Sequence, residues 1–119
     1  MSQNITRHGV GARMSEAAVF NGMIFLAGMV GENTTGQDIK AQTADVLSQI
    51  DKHLATCGSD KSRLLRVEIF LADMADFPGM NEVWEKWVVA GHTPPRATVQ
   101  ASLANPGWKV EMVVTAAQA

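Results

Sequence analysis

Two runs of strand-forming residues, 97–103 and 109–115, lie near the C-terminus and are separated by Asn105-Pro106-Gly107. Proline presets φ and glycine accepts positive φ, so this tripeptide is typical of a tight turn. Apolar and polar side chains alternate along the first run, as in a strand with one buried face. The sequence therefore predicts a β-hairpin at this position.

Two charged residues are notable in this predicted hairpin. Arg96 follows Pro94-Pro95, which stiffen the backbone and leave the guanidinium as a preorganised fork for a carboxylate or phosphate. Glu111 lies in an otherwise apolar strand, where an unpaired carboxylate is rare. Hairpin pairing places Arg96 and Glu111 opposite different parts of the partner strand, roughly 15 Å apart at ~3.3 Å per residue.

On residue types alone, two interpretations of these charges are open. In the first, Arg96 and Glu111 share one site because a second subunit brings them together. In the second, Arg96 is a solvated charge at the end of a strand, and Glu111 protects a strand edge from aggregation.

The length of 119 residues predicts one domain, covering residues 1–119. Hydrophobic residues make up 46% and charged residues 18%, which is typical of a globular protein and low enough in charge to indicate a subunit interface. A formal net charge of −2 predicts no nucleic-acid partner and no anionic membrane surface. No run approaches the ~20 apolar residues of a membrane span. The single Cys57 excludes an internal disulfide, so we expect a cytoplasmic location.

The N-terminal part of the chain predicts a second hairpin. Asn21-Gly22, a strong turn signal, separates the short apolar runs 17–20 and 23–27. The second run is apolar on both faces, although helices on one side of a sheet cover only one of them. We therefore expect a partner subunit to cover the other face. Residues 1–12 are polar and without period, which predicts an extended lead-in.

Two helices and one more strand complete the expected order. Apolar residues recur at helical spacing from about Asp38 to Ala55, with Gln42 among the polar residues outside the buried stripe. A strand is predicted at 65–71, and a second helix from an N-cap at Asp76 to Gly91. The order ββαβαββ predicts an α+β subunit with two helices on one face of a mixed sheet.

The sequence gives no signal for a metal or a nucleotide. The histidines, at positions 8, 53 and 92, are scattered and none has the spacing to another ligand residue that a metal site requires. Neither GxGxxG nor GxxxxGK[ST] is present.

Several long blocks between about Arg13 and Ala117 resemble the Rid/YjgF family of reactive intermediate deaminases. The matching blocks are RMSEAAVFNGMIFLAG, QTADVLSQIDKHL, VEIFLADMADFPGMNEVWEKWVVAGHTPPRATVQASL and NPGWKVEMVVTAA. Among family members the chain is most like the short bacterial, YoaB-like type. The resemblance implies a chorismate-mutase-like subunit that forms a homotrimer with clefts between neighbouring subunits.

The resemblance also implies roles for single residues. Arg96 matches the arginine that grips the substrate carboxylate, and Glu111 matches the glutamate beside the water that attacks the imine. Asn81 matches a pocket asparagine, and Gly28 matches a glycine whose backbone lines the cleft. The remaining predicted substrate-binding residues are Ala27, Met29, Thr98 and Arg13.

The chain departs from the family pattern at three places. Thr98 stands where most members carry cysteine, which excludes a cysteine nucleophile here. Arg13-Met14-Ser15 replaces the Gly-Pro-Tyr of the archetype, and Ala27 replaces a serine. Arg13 is then either a second contact for an anionic substrate or a solvated loop charge.

The function implied by the resemblance is hydrolysis of 2-imino or enamino acids, such as 2-aminoacrylate, to 2-oxo acids and ammonia. No metal or organic cofactor is expected for this reaction. A non-catalytic alternative is a cleft that binds a 2-oxo acid or a similar metabolite without turnover. Ribonuclease activity is a third alternative, which the acidic pI of about 5.8 disfavours.

Overall fold

A computed structural model describes residues 4–119, which form one mixed β-sheet and two α-helices. Helix α1 spans Ile39–Thr56 and helix α2 spans Phe77–Trp87, and both pack on the same face of the sheet. The predicted α+β class and its layer arrangement are confirmed. The strands are β1 (Thr6–His8), β2 (Ala17–Phe20), β3 (Met23–Leu26), β4 (Met29–Val30), β5 (Leu64–Leu71), β6 (Arg96–Gln100) and β7 (Val110–Ala117).

The strand order across the sheet is β1-β2-β3-β7-β5-β6, and the short β4 also pairs with β7. All neighbouring strands are antiparallel except β5 and β6, which are parallel and are connected through α2. The hairpin at Asn21-Gly22 is confirmed, and both turn residues have positive φ, at 53° and 77°.

The predicted hairpin between residues 97–103 and 109–115 is wrong. β6 pairs with one edge of β5 and β7 pairs with the other edge, so β5 lies between them. Asn105-Pro106-Gly107 does form a turn, in which the Trp108 N–H donates to the Asn105 carbonyl over 3.0 Å. That turn belongs to a long connection that passes β5. Local turn residues predict a bend, and the choice of a partner strand is a long-range effect that they do not encode.

The ends of several elements also differ from the sequence prediction, and β6 stops at Gln100 rather than at residue 103. The lead-in contains β1, which pairs with β2 and forms one edge of the sheet. Helix α2 ends at Trp87 rather than Gly91, because Val88 is already extended. Asp76 makes no side-chain capping hydrogen bond, since it belongs to a short 3₁₀ turn that Asp73 caps instead.

The core lies between the helices and one face of the sheet, which we call the helix face. Every second residue of β7 faces this core and is buried, as the two-residue period of a strand predicts. The prediction that Gln42 lies outside the buried stripe of α1 is wrong, because its side chain is fully buried. Its amide donates to the Gln37 and Gly107 carbonyls, each over 2.9 Å, and accepts from the Lys109 N–H over 2.8 Å. These bonds fasten the connection between β6 and β7 to α1.

The other side of the sheet, which we call the open face, is not covered by either helix of residues 4–119. Several large apolar side chains lie exposed there in the single chain, with Phe25 at 46% and Val99 at 47% exposure. Phe70 and Val113 lie on the same face and are half-buried. A water-exposed face of this composition is typical of a surface that contacts another protein chain. Neither α-helix in residues 4–119 has the length and apolar character needed to cross a bilayer.

Candidate functional site

Arg96 lies at the start of β6, the edge strand, and its side chain is directed at α2 on the helix face. Its Nη1 group donates to Asn81 Oδ1 over 2.8 Å. The guanidinium carbon lies 5.3 Å from the ring centre of Trp84 and 5.7 Å from that of Phe77. Two aromatic rings and one amide therefore restrict the position of the guanidinium, and both ring distances fall within the ~6 Å range of cation–π contacts.

Burial lowers the pKa of Arg96 from its ordinary value, and the charge of Glu85 opposes that shift. An arginine stays protonated under such a shift at any physiological pH. Among the described residues, the bond to Asn81 uses one of its N–H groups. The guanidinium can therefore donate a further pair of hydrogen bonds to a planar anion such as a carboxylate.

Thr98 lies two residues further along β6 and shares the helix face with Arg96, since its ladder partner Ile69 is in the core. Its Oγ1 atom is buried and has no hydrogen-bond partner among the described residues. A buried hydroxyl without a partner is costly, by ~1–3 kcal/mol. Thr98 therefore has an unused hydrogen-bonding group on the same face of β6 as the arginine, two residues away.

The free edge of β6 also presents main-chain groups. The Val67 N–H donates to the Pro95 carbonyl over 3.1 Å, and the Ala101 N–H donates to the Leu71 carbonyl over 3.0 Å. Because main-chain groups alternate in direction along a strand, those of Arg96 and the other even-numbered residues of β6 point away from β5. The surroundings of Arg96 thus combine a cation, an amide and a strand edge that is unpaired among the described residues.

Glu111 lies on β7 with its side chain on the open face, opposite Phe70 of β5 and Val30 of β4. Its carboxylate rests against Gly28. A Cβ atom on Gly28 would lie 2.9 Å from Cδ of Glu111 and closer still to one carboxylate oxygen, so any larger residue would displace the carboxylate. The absence of a side chain at position 28 therefore creates the space that Glu111 occupies.

A β-bulge shapes the backbone at Gly28. Phe25 lies opposite Thr115 and Met29 lies opposite Met112, so this side has one residue more than β7 between the two pairs. Bulges of this kind redirect side chains and are frequent beside functional sites. Here the bulge separates β3 from β4 and leaves Gly28 exposed beneath the carboxylate.

The remaining predicted residues differ in their accessibility. Ala27 is half-buried in the bulge, and its N–H donates to the Glu16 carbonyl over 2.9 Å. The Met29 side chain is 3% exposed and belongs to the core, so only its backbone can line a cleft. Arg13 is exposed in the loop before β2, three residues from the Glu16–Ala27 contact.

The structure places these residues in two separate groups, which we call the arginine half (Arg96, Asn81 and Thr98) and the glutamate half (Glu111 and Gly28). Through the ladder, Arg96 is aligned with Val67 and hence with Val114, which is three residues from Glu111. Two strand spacings of ~4.8 Å and three residues of ~3.3 Å separate the Cα atoms of Arg96 and Glu111 by about 14 Å. Their side chains also lie on opposite faces of the sheet. One chain alone therefore does not bring them together.

The sequence analysis missed the two aromatic residues that flank the arginine. Phe77, Asn81 and Trp84 are spaced at i, i+4 and i+7, so they form one stripe of α2. That spacing can be read from the sequence, but it does not show that the stripe contacts Arg96. The second missed feature is the position of the stripe next to β6, which depends on the parallel pairing with β5.

A cavity of about 470 Å³ lies elsewhere, between the β1–β2 edge and the end of α1. It is lined by polar residues such as His8, Thr56 and Gln118, and it contains no member of either half. In residues 4–119, no group of three or more His, Cys, Asp or Glu side chains has the arrangement needed to hold a metal ion.

Comparisons of the sequence and of the fold with known proteins both point to one protein family. A family model described as Endoribonuclease L-PSP matches residues 5–118. The RutC family protein YoaB of Escherichia coli is 48% identical over 95% of this chain and 97% of its own. The crystal structure of a YjgF protein family member from Neisseria meningitidis superposes with a TM-score of 0.92 and 52% identity, over 98% of this chain and 96% of that one. The chloroplastic Reactive Intermediate Deaminase A of Arabidopsis thaliana is 31% identical over 82% of this chain and 54% of that protein.

Proposed function

This chain belongs to the YjgF family, described as Endoribonuclease L-PSP, and from that premise we propose that it is a hydrolytic deaminase of 2-imino acids. The observation that carries the proposal is the arginine half, in which one guanidinium is held by Asn81 between two aromatic rings. A relative named Reactive Intermediate Deaminase A supports the reaction class.

Arg96 anchors the substrate through its carboxylate. Because Asn81 and the two aromatic rings restrict the guanidinium, bidentate contact with a carboxylate is favourable. Partial burial strengthens this contact by excluding water. The hydroxyl of Thr98 and the main-chain groups on the free edge of β6 then provide hydrogen bonds to the atoms next to the carboxylate.

Glu111 positions the attacking water on the imine carbon. Water adds to the protonated C=N group, and the carboxylate accepts the proton that the water loses, giving a tetrahedral carbinolamine. The carboxylic acid returns that proton to the nitrogen. As the C–N bond breaks, the carboxylate accepts the proton of the carbinol hydroxyl, so that ammonia leaves and the 2-oxo acid remains; this last proton then goes to the released ammonia, giving ammonium. The reaction is a hydrolysis without redox change, so it needs no electron acceptor.

The two halves belong to different subunits in this proposal. If each chain presents the arginine half to one neighbour and the glutamate half to the other, the contacts are head-to-tail and close into a ring. We propose the homotrimer as that ring. The exposed apolar side chains of the open face give it a surface to bury.

The test is a competition assay for imine hydrolysis. An amino acid oxidase generates a panel of 2-imino acids in situ, and semicarbazide competes with the protein for each of them. The wild-type protein should divert the imine from semicarbazone to 2-oxo acid. Arg96→Ala should lose at least ~100-fold of kcat/KM, because a charged bidentate contact is worth ~3 kcal/mol or more.

Arg63→Ala is the matched control. Arg63 is exposed and its Nε donates to the Gln118 carbonyl far from both halves, so its loss should leave turnover intact. If wild type and Arg96→Ala both fail to hydrolyse any imine, the deaminase proposal is wrong. Calorimetric binding of a 2-oxo acid would then favour the non-catalytic alternative. RNA cleavage that persists in Arg96→Ala would favour a ribonuclease.

A further inference from the structure

Asp45, on α1, collects hydrogen bonds from three neighbouring side chains and one main-chain group. Oδ2 accepts from the Asn33 N–H over 3.0 Å and from Thr34 Oγ1 over 2.9 Å. Oδ1 accepts from Asn33 Nδ2 over 3.2 Å and from Gln49 Nε2 over 3.0 Å. The carboxylate therefore ties the segment 33–34, which follows β4, to the middle of α1.

The same network reaches β4 itself. Gln49 Nε2 also donates to the Val30 carbonyl over 2.8 Å, so one amide bridges Asp45 and β4. Val30 is the ladder partner of Glu111, and β4 begins directly after Gly28. Asp45 is thus connected to the glutamate half through Gln49 and two residues of strand.

The short length of β4 makes these ties important. β4 has two residues and is separated from β3 by a bulge, so its own ladder bonds are few. A segment with so few backbone bonds opens easily unless other contacts hold it. Besides the packing of Met29 in the core, β4 is held by the hydrogen bond from Gln49 to the Val30 carbonyl, and Asp45 in turn holds Gln49.

We propose that Asp45 is a positioning residue for Glu111: it fixes β4 and the following loop, so that Gly28 stays beneath the Glu111 carboxylate. This inference rests on the proposed function for its catalytic consequence, but the positioning itself is independent of any activity. Asp45 touches no substrate and acts only through Gln49, β4 and Gly28.

Asp45→Asn tests the proposal, because it keeps the shape of the side chain and replaces one acceptor oxygen with an NH₂ group that faces donors. We expect kcat for imine hydrolysis to fall ~10-fold or more with KM nearly unchanged, since misplacing a catalytic group costs rate rather than binding of the carboxylate. Hydrogen exchange at the amide of Met29, which faces Met112 in the β4–β7 ladder, should accelerate by a similar factor.

Asp38→Ala is the control for general loss of stability. Asp38 caps the same helix, accepting from the Ala41 N–H over 2.8 Å, and lacks the contacts to residues 33–34. Its removal should cost ~1 kcal/mol of stability without changing exchange in β4 or kcat. Equal effects of Asp45→Asn and Asp38→Ala would overturn the proposal.

The two readouts separate this proposal from the proposed function. If the wild-type protein hydrolyses no imine, the deaminase assignment fails and exchange at β4 alone decides the role of Asp45. Unchanged exchange in Asp45→Asn overturns the positioning role whatever the activity. Faster exchange with unchanged kcat in an active protein overturns its catalytic consequence.

Discussion

At the scale of single residues, the site depends on neighbours that restrict each functional group. The guanidinium of Arg96 is restricted by Trp84, Phe77 and Asn81, which all lie on α2. Glu111 owes its location to the missing side chain of Gly28. A guanidinium or carboxylate without such neighbours would spend rotamer entropy on binding, so these contacts make both groups ready before a ligand arrives.

The hydroxyl of Thr98 gives a prediction with an internal control. Thr98 and Thr43 are the buried side chains in residues 4–119 whose Oγ1 atoms lack a hydrogen-bond partner. Replacing either by valine removes an unpaired polar group at nearly constant shape, so Thr98→Val and Thr43→Val should each stabilise the protein by about 1 kcal/mol. Urea unfolding at a fixed protein concentration measures this change.

Only Thr98→Val should impair imine hydrolysis, because Thr98 lies in the arginine half and Thr43 in the core of α1. A loss of ~10-fold in kcat/KM is the expected size for one neutral hydrogen bond to substrate. Activity that is unchanged in both variants would leave Thr98 with a packing role alone.

At the scale of elements, periodicity predicted most of the fold. The helical stripe of α1 and the buried faces of β5 and β7 follow from local patterns, because burial repeats with the period of each element. The turn at Asn21-Gly22 follows from its residue types. The pairing of β6 with β5 did not follow, because parallel partners are joined through a whole helix. The same long-range pairing hid the aromatic side chains beside Arg96 from sequence analysis.

Gln42 holds the connection between β6 and β7 to α1, although the polar character of glutamine predicts a surface position. Its buried amide serves three main-chain groups, from Gln37, Gly107 and Lys109. Gln42→Leu leaves the Gln37 carbonyl and the Lys109 N–H without partners, because the Gly107 carbonyl still accepts from the Gly36 N–H over 2.9 Å. Each unpaired group costs ~1–3 kcal/mol. We therefore predict a loss of about 2–4 kcal/mol in the free energy of unfolding.

Chemical denaturation with Gln37→Leu as the reference tests this prediction. Gln37 is exposed, and only its carbonyl joins the network, so its side chain is dispensable. A Gln42→Leu protein as stable as Gln37→Leu would show that the connection between β6 and β7 is held by other contacts, such as the bond from Trp108 Nε1 to Thr35 Oγ1.

At the scale of the whole molecule, one chain holds the two halves of the proposed site, and residues 4–119 leave an apolar sheet face without cover. A hairpin between residues 97–103 and 109–115 predicts a separation of roughly 15 Å between Arg96 and Glu111, but that hairpin does not form. The actual pairing gives a similar separation of about 14 Å, by way of β5, and adds that the two side chains lie on opposite faces. Both observations are explained together if neighbouring chains complete each other's sites in a closed ring.

Subunit complementation tests this central claim most directly. Arg96→Ala and Glu111→Gln are each expected to be inactive, and they are unfolded together in equal amounts and refolded. In a head-to-tail ring, about one quarter of the clefts then receive Arg96 from one chain and Glu111 from its neighbour. The account predicts recovery of roughly a quarter of wild-type imine hydrolysis in the mixture. A mixture as inactive as its two components, although mixed oligomers form, would contradict a site shared between subunits.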